Sequence, residues 1–347
     1  MHMADALLSP TVGGAMWALS AGTIAFCAKK VRSDPDDSKV PLMGVLGAFL
    51  FAAQMINFTI PATGSSGHLG GGLLLTILLG PYAAFLTIAS VLVVQALFFA
   101  DGGILALGCN IFNMGFIPAF IVYPFFFKKL VGTNPSQTRM NASIMLSAVV
   151  GLQLGPLGVV LETFFSHISS LPVDTFMLFM QPIHLAIGAV EGLVTVAVVS
   201  FVHKARPEIL QGAFAARPVY NRPLRNVLLV FLAAALLTGG VVSWFASKNP
   251  DGLEWAIARV TGKTELQGSE QGIHGILASL QGITALLPDY GFKKVADAGN
   301  GGVKAEGATN NGAERLGSSI SGIVGALMTL LLALVIGFFL KRRGRSV

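Results

Sequence analysis

The sequence predicts an all-α, polytopic membrane protein, and three observations support this prediction. The 347 residues are 53% hydrophobic and only 12% charged, about half of the ~25% charged fraction typical of soluble domains. Several stretches without a charged residue or a histidine exceed the ~20 residues that a helix needs to cross a bilayer. The chain also contains 41 glycines, and small residues let membrane helices approach one another closely.

The apolar stretches define the elements in chain order. Five of them contain no Asp, Glu, Lys, Arg or His, and these are residues 6–28, 69–100, 102–127, 226–247 and 316–340. Three more are nearly as apolar, namely residues 42–60, 140–165 and 175–202. Glu162 lies in the second of these three, and His184 and Glu191 lie in the third. Each stretch is predicted to be a helix in the membrane.

The placement of Lys and Arg predicts the orientation of the chain. Outside residues 248–315, these residues fall into four clusters, at 29–39, 128–139, 204–225 and 341–345. Cytoplasmic loops carry an excess of Lys and Arg, so all four clusters are assigned to the cytoplasm. The N-terminus and the loop at residues 61–68 are then predicted outside, and the C-terminus in the cytoplasm.

The long apolar run at residues 69–100 is predicted to be two helices. The chain must cross an odd number of times between an outer loop and the basic cluster that starts at Lys128. A break at Gly80-Pro81 restores this parity, because proline lacks an amide proton and disfavours helical geometry in the residue before it. The first helix, at about residues 70–80, is too short to span the bilayer. The loop before it should therefore enter the protein, and seven helices should precede Lys204.

The chain is predicted to divide into two modules. Residues 1–203 form the seven-helix module, residues 204–225 form a basic cytoplasmic linker, and residues 226–347 form a two-helix module. The loop of this second module, residues 247–318, is predicted to be extracytoplasmic. Apolar residues at helical spacing predict one amphipathic helix within it, at residues 272–287.

The first two residues, Met1 and His2, form a candidate metal chelator. No charged segment or small-residue cleavage site precedes the first apolar run, so we expect no removed signal peptide and a free terminal amine. That amine, the His2 amide nitrogen and the His2 ring Nδ1 can close two chelate rings in one plane. Planar nitrogen coordination favours Ni(II) or Cu(II) and leaves one open corner. The predicted topology brings His68 to the same face, where its neutral imidazole can fill that corner.

Several polar residues are candidates for supporting roles. Gln54, Asn57 and Ser66 can orient His68 through hydrogen bonds, as metal-binding histidines usually require. For Gln54 and Asn57, a hydrogen bond at a helix end is an equally good interpretation. His184 and Glu191 lie seven residues apart on one helical face, and we expect a structural buried pair well below the outer site. Asp101 and Glu162 receive no role.

Seven short motifs resemble a known family. They are MHMADALLSP (1–10), KVPLMG (39–44), QMINF (54–58), SGHLGG (66–71), DGGILALG (101–108), HLAIGAVEG (184–192) and NPDGLE (249–254). The first six resemble the NikM/CbiM family of nickel/cobalt substrate-binding components (S components) of energy-coupling-factor (ECF) transporters, a class of ABC transporter. The last is similar to the motif of the fused N component, as in NikMN proteins. Met3 and Ala4 depart from the usual family residues but are not expected ligands.

The resemblance implies a function and a set of partners. It implies that Met1, His2 and His68 bind Ni(II), or Co(II), as the transported substrate of an ATP-driven importer in the cell membrane. A transmembrane coupling T component and cytoplasmic ATPase subunits are the implied partners, and the chain itself is expected not to be an enzyme. The alternative is a stand-alone, ion-coupled secondary transporter, although such carriers usually need several charges within the membrane. The sequence leaves the choice between nickel and cobalt open.

Overall fold

The computed structural model describes residues 2–34, 36–207, 209–210, 225–266, 268–293 and 311–344. The described helices, in chain order, are α1 (Pro10–Arg32), α2 (Lys39–Gln54), α3 (Gly72–Leu79), α4 (Pro81–Phe98), α5 (Leu107–Val131), α6 (Gln137–Ser166), α7 (Val173–Ala205), α8 (Arg225–Gly240), α9 (Gly252–Thr261), α10 (Gly272–Thr284) and α11 (Asn311–Gly344). Two short strands, β1 (Phe58–Ile60) and β2 (Ser65–Gly67), lie between α2 and α3. The predicted all-α class and the seven helices before Lys204 are confirmed.

The fold is that of a multi-pass membrane protein. Among the described residues, six helices are long and apolar enough to cross a bilayer: α1, α4, α5, α6, α7 and the part of α11 from Gly312 to Arg342. Helices α2 and α8 are apolar but shorter, at 16 residues each. Helix α5 is wound as a π-helix over Phe112–Phe127, a segment that contains two prolines.

The predicted break within residues 69–100 is confirmed at Gly80. Helix α3 ends at Leu79 and α4 begins at Pro81, while Gly80 between them has φ of +78°. A glycine tolerates this left-handed conformation, and proline is well suited to the first turn of the following helix. All eight residues of α3 are buried, so the short helix is enclosed by the bundle and does not span the membrane by itself.

The loop before α3 forms a hairpin that the sequence did not predict. Strands β1 and β2 are antiparallel, with Phe58 opposite Gly67 and Ile60 opposite Ser65. Ser65 and Ser66 are fully buried, which confirms that this loop enters the protein. Three-residue strands are too short to give a periodic signal in the sequence, and this is why the hairpin was missed.

The helices of the predicted second module pack directly on those of the first. Helices α8 and α11 both lie against α2 and against each other. At their mutual crossing the backbones nearly touch, because a Cβ atom on Gly239 would lie 2.9 Å from the carbonyl carbon of Gly322. The predicted amphipathic helix is confirmed as α10, although it ends at Thr284 rather than at residue 287.

Candidate metal centre

The N-terminal segment is inserted into the bundle next to the start of α5. Met1 lies outside the described residues, so the description begins at His2. The backbone N–H of Met3 donates to Asn110 Oδ1 at 2.8 Å, and the N–H of Gly103 donates to the Met3 carbonyl at 2.8 Å. The Met3 side chain is fully buried. These contacts fix the residue after His2, and with it the direction in which His2 points.

The loop at residues 101–106 can receive this segment because it contains two glycines. A Cβ atom on Gly103 would lie 1.8 Å from Asp5 Oδ1, and a Cβ atom on Gly102 would lie 3.1 Å from the Cβ of His2. Gly102 also has φ of +84°, which favours glycine. The Asp5 carboxylate in turn accepts a hydrogen bond from the Ala106 N–H at 2.9 Å.

His2 and His68, the two histidines of the predicted site, lie side by side. Their rings are stacked, with centroids 5.0 Å apart and planes 17° from parallel. His68 Nδ1 lies 3.1 Å from the Leu69 carbonyl, which can only accept, so Nδ1 carries a proton. Nε2 is therefore the ring nitrogen through which His68 would bind a metal.

Both ring nitrogens of His2 face side-chain oxygens. Nδ1 lies 3.1 Å from Asp101 Oδ1, and Nε2 lies 3.1 Å from Gln95 Oε1. Burial lowers the pKa of His2 to about 4, against the opposing charge of Asp101, so the ring is neutral at pH 7. A neutral imidazole has a single N–H and can donate to only one of these two oxygens.

The stacked arrangement brings the histidines together without aiming them at one point. The lone pair of an imidazole lies in the plane of its ring, so the lone pairs of two parallel rings do not converge on one ion. Chelation through His2 Nδ1 therefore requires the ring to turn away from Asp101. The structure thus establishes the proximity of His2 and His68.

Two glutamines connect His2 to the loop that follows His68. Gln95 Nε2 donates to Gln54 Oε1 at 3.0 Å, and Gln54 Nε2 donates to the Gly70 carbonyl at 3.0 Å. Gln95 also faces His2. Gln54, which the sequence suggested as a supporting residue, therefore links His2, through Gln95, to the loop that follows His68. The side chain of Asn57 is placed differently, since its buried Oδ1 has no hydrogen-bond partner among the described residues.

The second module contacts the strand that leads to His68. The Ser66 N–H donates to the Pro250 carbonyl at 2.8 Å, and Ser66 Oγ donates to the Asn249 carbonyl at 2.8 Å. Asp251 caps α9 through Oδ1, while its Oδ2 lies 3.8 Å from His68 Nε2. Sequence reasoning assigned no role to Asp101, Gln95 or Asp251. Asp101 lies in the DGGILALG motif and Asp251 in the NPDGLE motif, and these motifs were the sequence features that could have indicated a role for them.

The expected pair of His184 and Glu191 is not formed. His184 Nδ1 lies 2.8 Å from the Met180 carbonyl, whereas the Glu191 carboxylate accepts hydrogen bonds from the N–H groups of Gly70 at 2.7 Å and Gly71 at 3.1 Å. Glu191 therefore lies beside the loop of His68 and not well below it, which corrects the expectation. The helix face was predicted correctly, but the depth at which a buried loop meets that face has no sequence signal.

The fold and this site together define the class of protein. It is a multi-pass helical membrane protein in which a buried N-terminal histidine meets a second histidine on a re-entering hairpin, within a shell of carboxylate and amide groups. Imidazole nitrogen is a preferred ligand of first-row transition metals.

Comparison with known proteins identifies the family. Residues 2–209 match the family described as "Cobalt uptake substrate-specific transmembrane region" (CbiM), and residues 225–342 match the PDGLE domain. The chain belongs to the CbiM family and carries a C-terminal PDGLE domain.

Individual relatives agree with this assignment. The chain is 32% identical to the "Probable fused nickel transport protein LarMN" of Lactiplantibacillus plantarum, over 84% of this chain and 88% of the relative. It is 35% identical to the "Putative fused nickel transport protein NikMN" of Archaeoglobus fulgidus, over 61% of this chain and 68% of the relative. A crystal structure described as a transition metal transporter superposes with a TM-score of 0.53 at 31% identity, covering 62% of this chain and 100% of that one.

Proposed function

We propose that this chain captures Ni(II), or Co(II), outside the membrane and passes it inward as the substrate-specific subunit of an ATP-driven ECF importer. The observation that carries the proposal is the stacked pair of His2 and His68, 5.0 Å apart in a buried position of the bundle. Membership of the CbiM family and the fused nickel transport proteins among the relatives support the same substrate class.

The proposed ligands are four nitrogens. They are the terminal amine of Met1, the amide nitrogen of His2, His2 Nδ1 and His68 Nε2. The backbone contacts of Met3 with Asn110 and Gly103 support this set, because they hold the chain immediately after the chelating residue. Four nitrogens in a plane favour Ni(II), while Co(II) would need further ligands to complete an octahedron.

The imidazole of the proposed ligand His2 is neutral at pH 7. Metal ligands must be deprotonated before they bind, and burial lowers the pKa of His2 to about 4. The neighbouring carboxylates Asp101 and Asp251 would offset the positive charge of the ion. The neutral amide of His2 must still lose its proton, so affinity is expected to rise with pH.

The second module is proposed to hold the hairpin that carries His68. Besides the contacts of Ser66 with Asn249 and Pro250, Trp255 Nε1 donates to the Thr63 carbonyl at 3.0 Å, so residues 249–255 are attached to the hairpin at both its turn and its second strand. We place the boundary between the modules in the linker at residues 204–225. The N-terminus and this hairpin are assigned to the outside, and the C-terminus to the cytoplasm.

The energy source is supplied by partner chains in this proposal. A transmembrane coupling T component and cytoplasmic ATPases would drive the rearrangement that releases the ion inward, and this chain would catalyse no reaction. A secondary carrier working alone is the rival. The two differ in what they need, because only the rival accumulates metal without nucleotide.

The proposal is tested in liposomes that contain the chain together with the T component and the ATPase subunits that copurify with it. Radioactive nickel outside should be taken up only when ATP is enclosed in the lumen. A complex carrying His68→Ala is the control, and it should take up at least about tenfold less nickel. Accumulation by the chain alone in vesicles without ATP would contradict the proposal and support the secondary carrier.

A further inference from the structure

We propose that His184 is a second metal-binding residue that shares the ion with His68. The inference rests on the proposed function and deepens it, because it assigns a further ligand next to the capture site. Its basis is an unpaired nitrogen of His184 that faces a cavity shared with His68.

The hydrogen bond of His184 determines which of its nitrogens has a lone pair. Nδ1 lies 2.8 Å from the Met180 carbonyl, and since a carbonyl only accepts, Nδ1 carries the proton. Nε2 of the neutral ring is then the unprotonated nitrogen. This is the tautomer in which a histidine binds a metal through Nε2, with its other nitrogen fixed by a backbone carbonyl.

His184 Nε2 is buried and has no hydrogen-bond partner within the described parts of the chain. The residue is only 1% exposed. A buried acceptor without a partner costs free energy, and each such group in a native protein calls for an explanation. A histidine that served only to pack would be replaceable by an apolar residue without that cost.

The unpaired nitrogen adjoins the site proposed for capture. One small cavity is lined by His68, Met114, Leu152, His184, Ile187 and Gly252. His68 Nδ1 is likewise bonded to a backbone carbonyl, that of Leu69, so His68 would also bind a metal through Nε2. Met114 adds a thioether, a soft ligand, among otherwise apolar walls.

Gly252 of the NPDGLE motif closes the cavity above His184. A Cβ atom at this position would lie 3.2 Å from His184 Nε2 and 3.0 Å from its Cε1. The absence of a side chain on Gly252 therefore leaves space beside the unpaired nitrogen. The same segment carries Asp251, whose carboxylate faces His68, so the second module encloses the cavity and contributes a negative charge next to it.

The position of His184 along α7 agrees with a place beside the capture site. It lies seven residues before Glu191, about 10 Å along the axis, and Glu191 contacts Gly70 and Gly71, directly after His68. With the proposed orientation, α7 runs from the outer face to the cytoplasm, so His184 lies on the outer side of that contact. His184 therefore binds the ion together with His68 in the outer part of the bundle.

The test uses the full chain in lipid nanodiscs and Ni(II) alone as the probe. One residue added before Met1 removes the terminal chelate, so any remaining binding reports the pair of His68 and His184. We expect this lengthened chain to bind one nickel ion at least about 100-fold more weakly than the wild type, as measured by isothermal titration. Adding His184→Ser to the lengthened chain should abolish this residual binding. Adding His184→Cys should preserve it, because cysteine is close to serine in size but carries a metal-binding thiol.

Each outcome is decisive for one of the two proposals. Equal residual affinity in the Ser and Cys variants, or no residual binding in the lengthened chain, would overturn the role of His184. Undiminished affinity in the lengthened chain would instead overturn the terminal chelate. His203→Ser, at an exposed position of the same helix, is the matched control and should leave the residual binding unchanged.

Discussion

Gly103 controls how closely the N-terminal segment approaches the loop before α5. Its N–H donates to the Met3 carbonyl, while any side chain at this position would collide with Asp5. Gly103, which is not one of the proposed ligands, thus controls how closely the segment carrying His2 can approach this loop. The geometry of the candidate site depends on glycines that let two backbone segments approach each other, as well as on the proposed ligands.

Gly103→Ala should therefore weaken nickel binding by at least about tenfold. The new methyl group would lie 1.8 Å from Asp5 Oδ1, so the segment carrying His2 must move away. Isothermal titration measures the loss, and circular dichroism checks that the helices are retained. Gly14→Ala, where a Cβ atom meets nothing within 4 Å, is the control. Equal affinity in the two variants would show that Gly103 does not position the segment.

The buried ring of His2 predicts a pH dependence of stability. Its pKa is about 4 in the folded protein, against an ordinary value of 6.5, so between these values the unfolded chain binds more protons. The contribution of the neutral ring is complete above pH 6.5 and falls toward pH 4, by at most about 1.4 kcal/mol per pH unit. Thermal unfolding without metal should show the wild type losing stability more steeply than His2→Gln from pH 6.5 to 5. Parallel curves would contradict the pKa shift.

Residue chemistry explains which site residues the sequence could reveal. Met1, His2 and His68 were predicted as ligands because a terminal Met-His dipeptide and an isolated histidine have recognisable chemistry. Asp101 and Asp251 were not assigned, because a single carboxylate in a loop has no pattern that indicates what it will face. Asp251 is 183 residues from His68 in sequence, and only the tertiary fold shows that they are neighbours.

Elements of this protein owe their positions to close backbone contacts as well as to apolar surface. Helices α8 and α11 cross at Gly239 and Gly322, where the backbone of each helix leaves no room for a side chain on the other. In lipid, such close van der Waals contact is a main source of helix association, since burial of apolar surface offers little there. The crossing therefore holds the second module together.

Gly239→Ala should destabilise this crossing, whereas Gly240→Ala should not. A Cβ atom at Gly239 would lie 2.9 Å from the Gly322 backbone, while one at Gly240 meets only a side-chain atom of Ile323 at 3.7 Å. Overpacking of this kind costs about 1–3 kcal/mol. The thermal unfolding midpoint of the Gly239 variant should fall below that of the Gly240 variant. Equal midpoints would contradict the importance of the crossing.

The elements were largely predictable, with one informative exception. The break at Gly80-Pro81 followed from charge parity and the chemistry of proline, and the structure confirms it. The β1–β2 hairpin had no such signal, because its strands are short and its partners come from the second module. A segment stabilised mainly by distant residues cannot be inferred from its own pattern.

The whole molecule connects its two modules at the candidate metal centre. Residues 249–255 contact the hairpin that carries His68, and Asp251 places a carboxylate 3.8 Å from His68 Nε2. The fused arrangement thus has a physical consequence, because part of the environment of the site comes from the C-terminal module. Changes in the position of that module should therefore change metal affinity.

Asp251→Asn should lower nickel affinity by about tenfold, equivalent to ~1.4 kcal/mol. Asparagine can keep the cap of α9 but removes the negative charge next to the proposed ligand His68, and a nearby anion favours a bound cation. Isothermal titration gives the change. Glu314→Gln, which alters an exposed ion pair with Lys248, is the matched control. Unchanged affinity in the Asp251 variant would show that this carboxylate of the second module does not contribute to metal binding.

The central claim is that nickel is bound by the nitrogens of the first two residues together with His68. The most direct measurement is the nickel affinity of the wild type and of a form with one residue added before Met1, compared by isothermal titration. A form with the same residue added after Val347 is the control. The account predicts a loss of at least about 100-fold for the N-terminal addition alone. Undiminished affinity in that form would contradict the account.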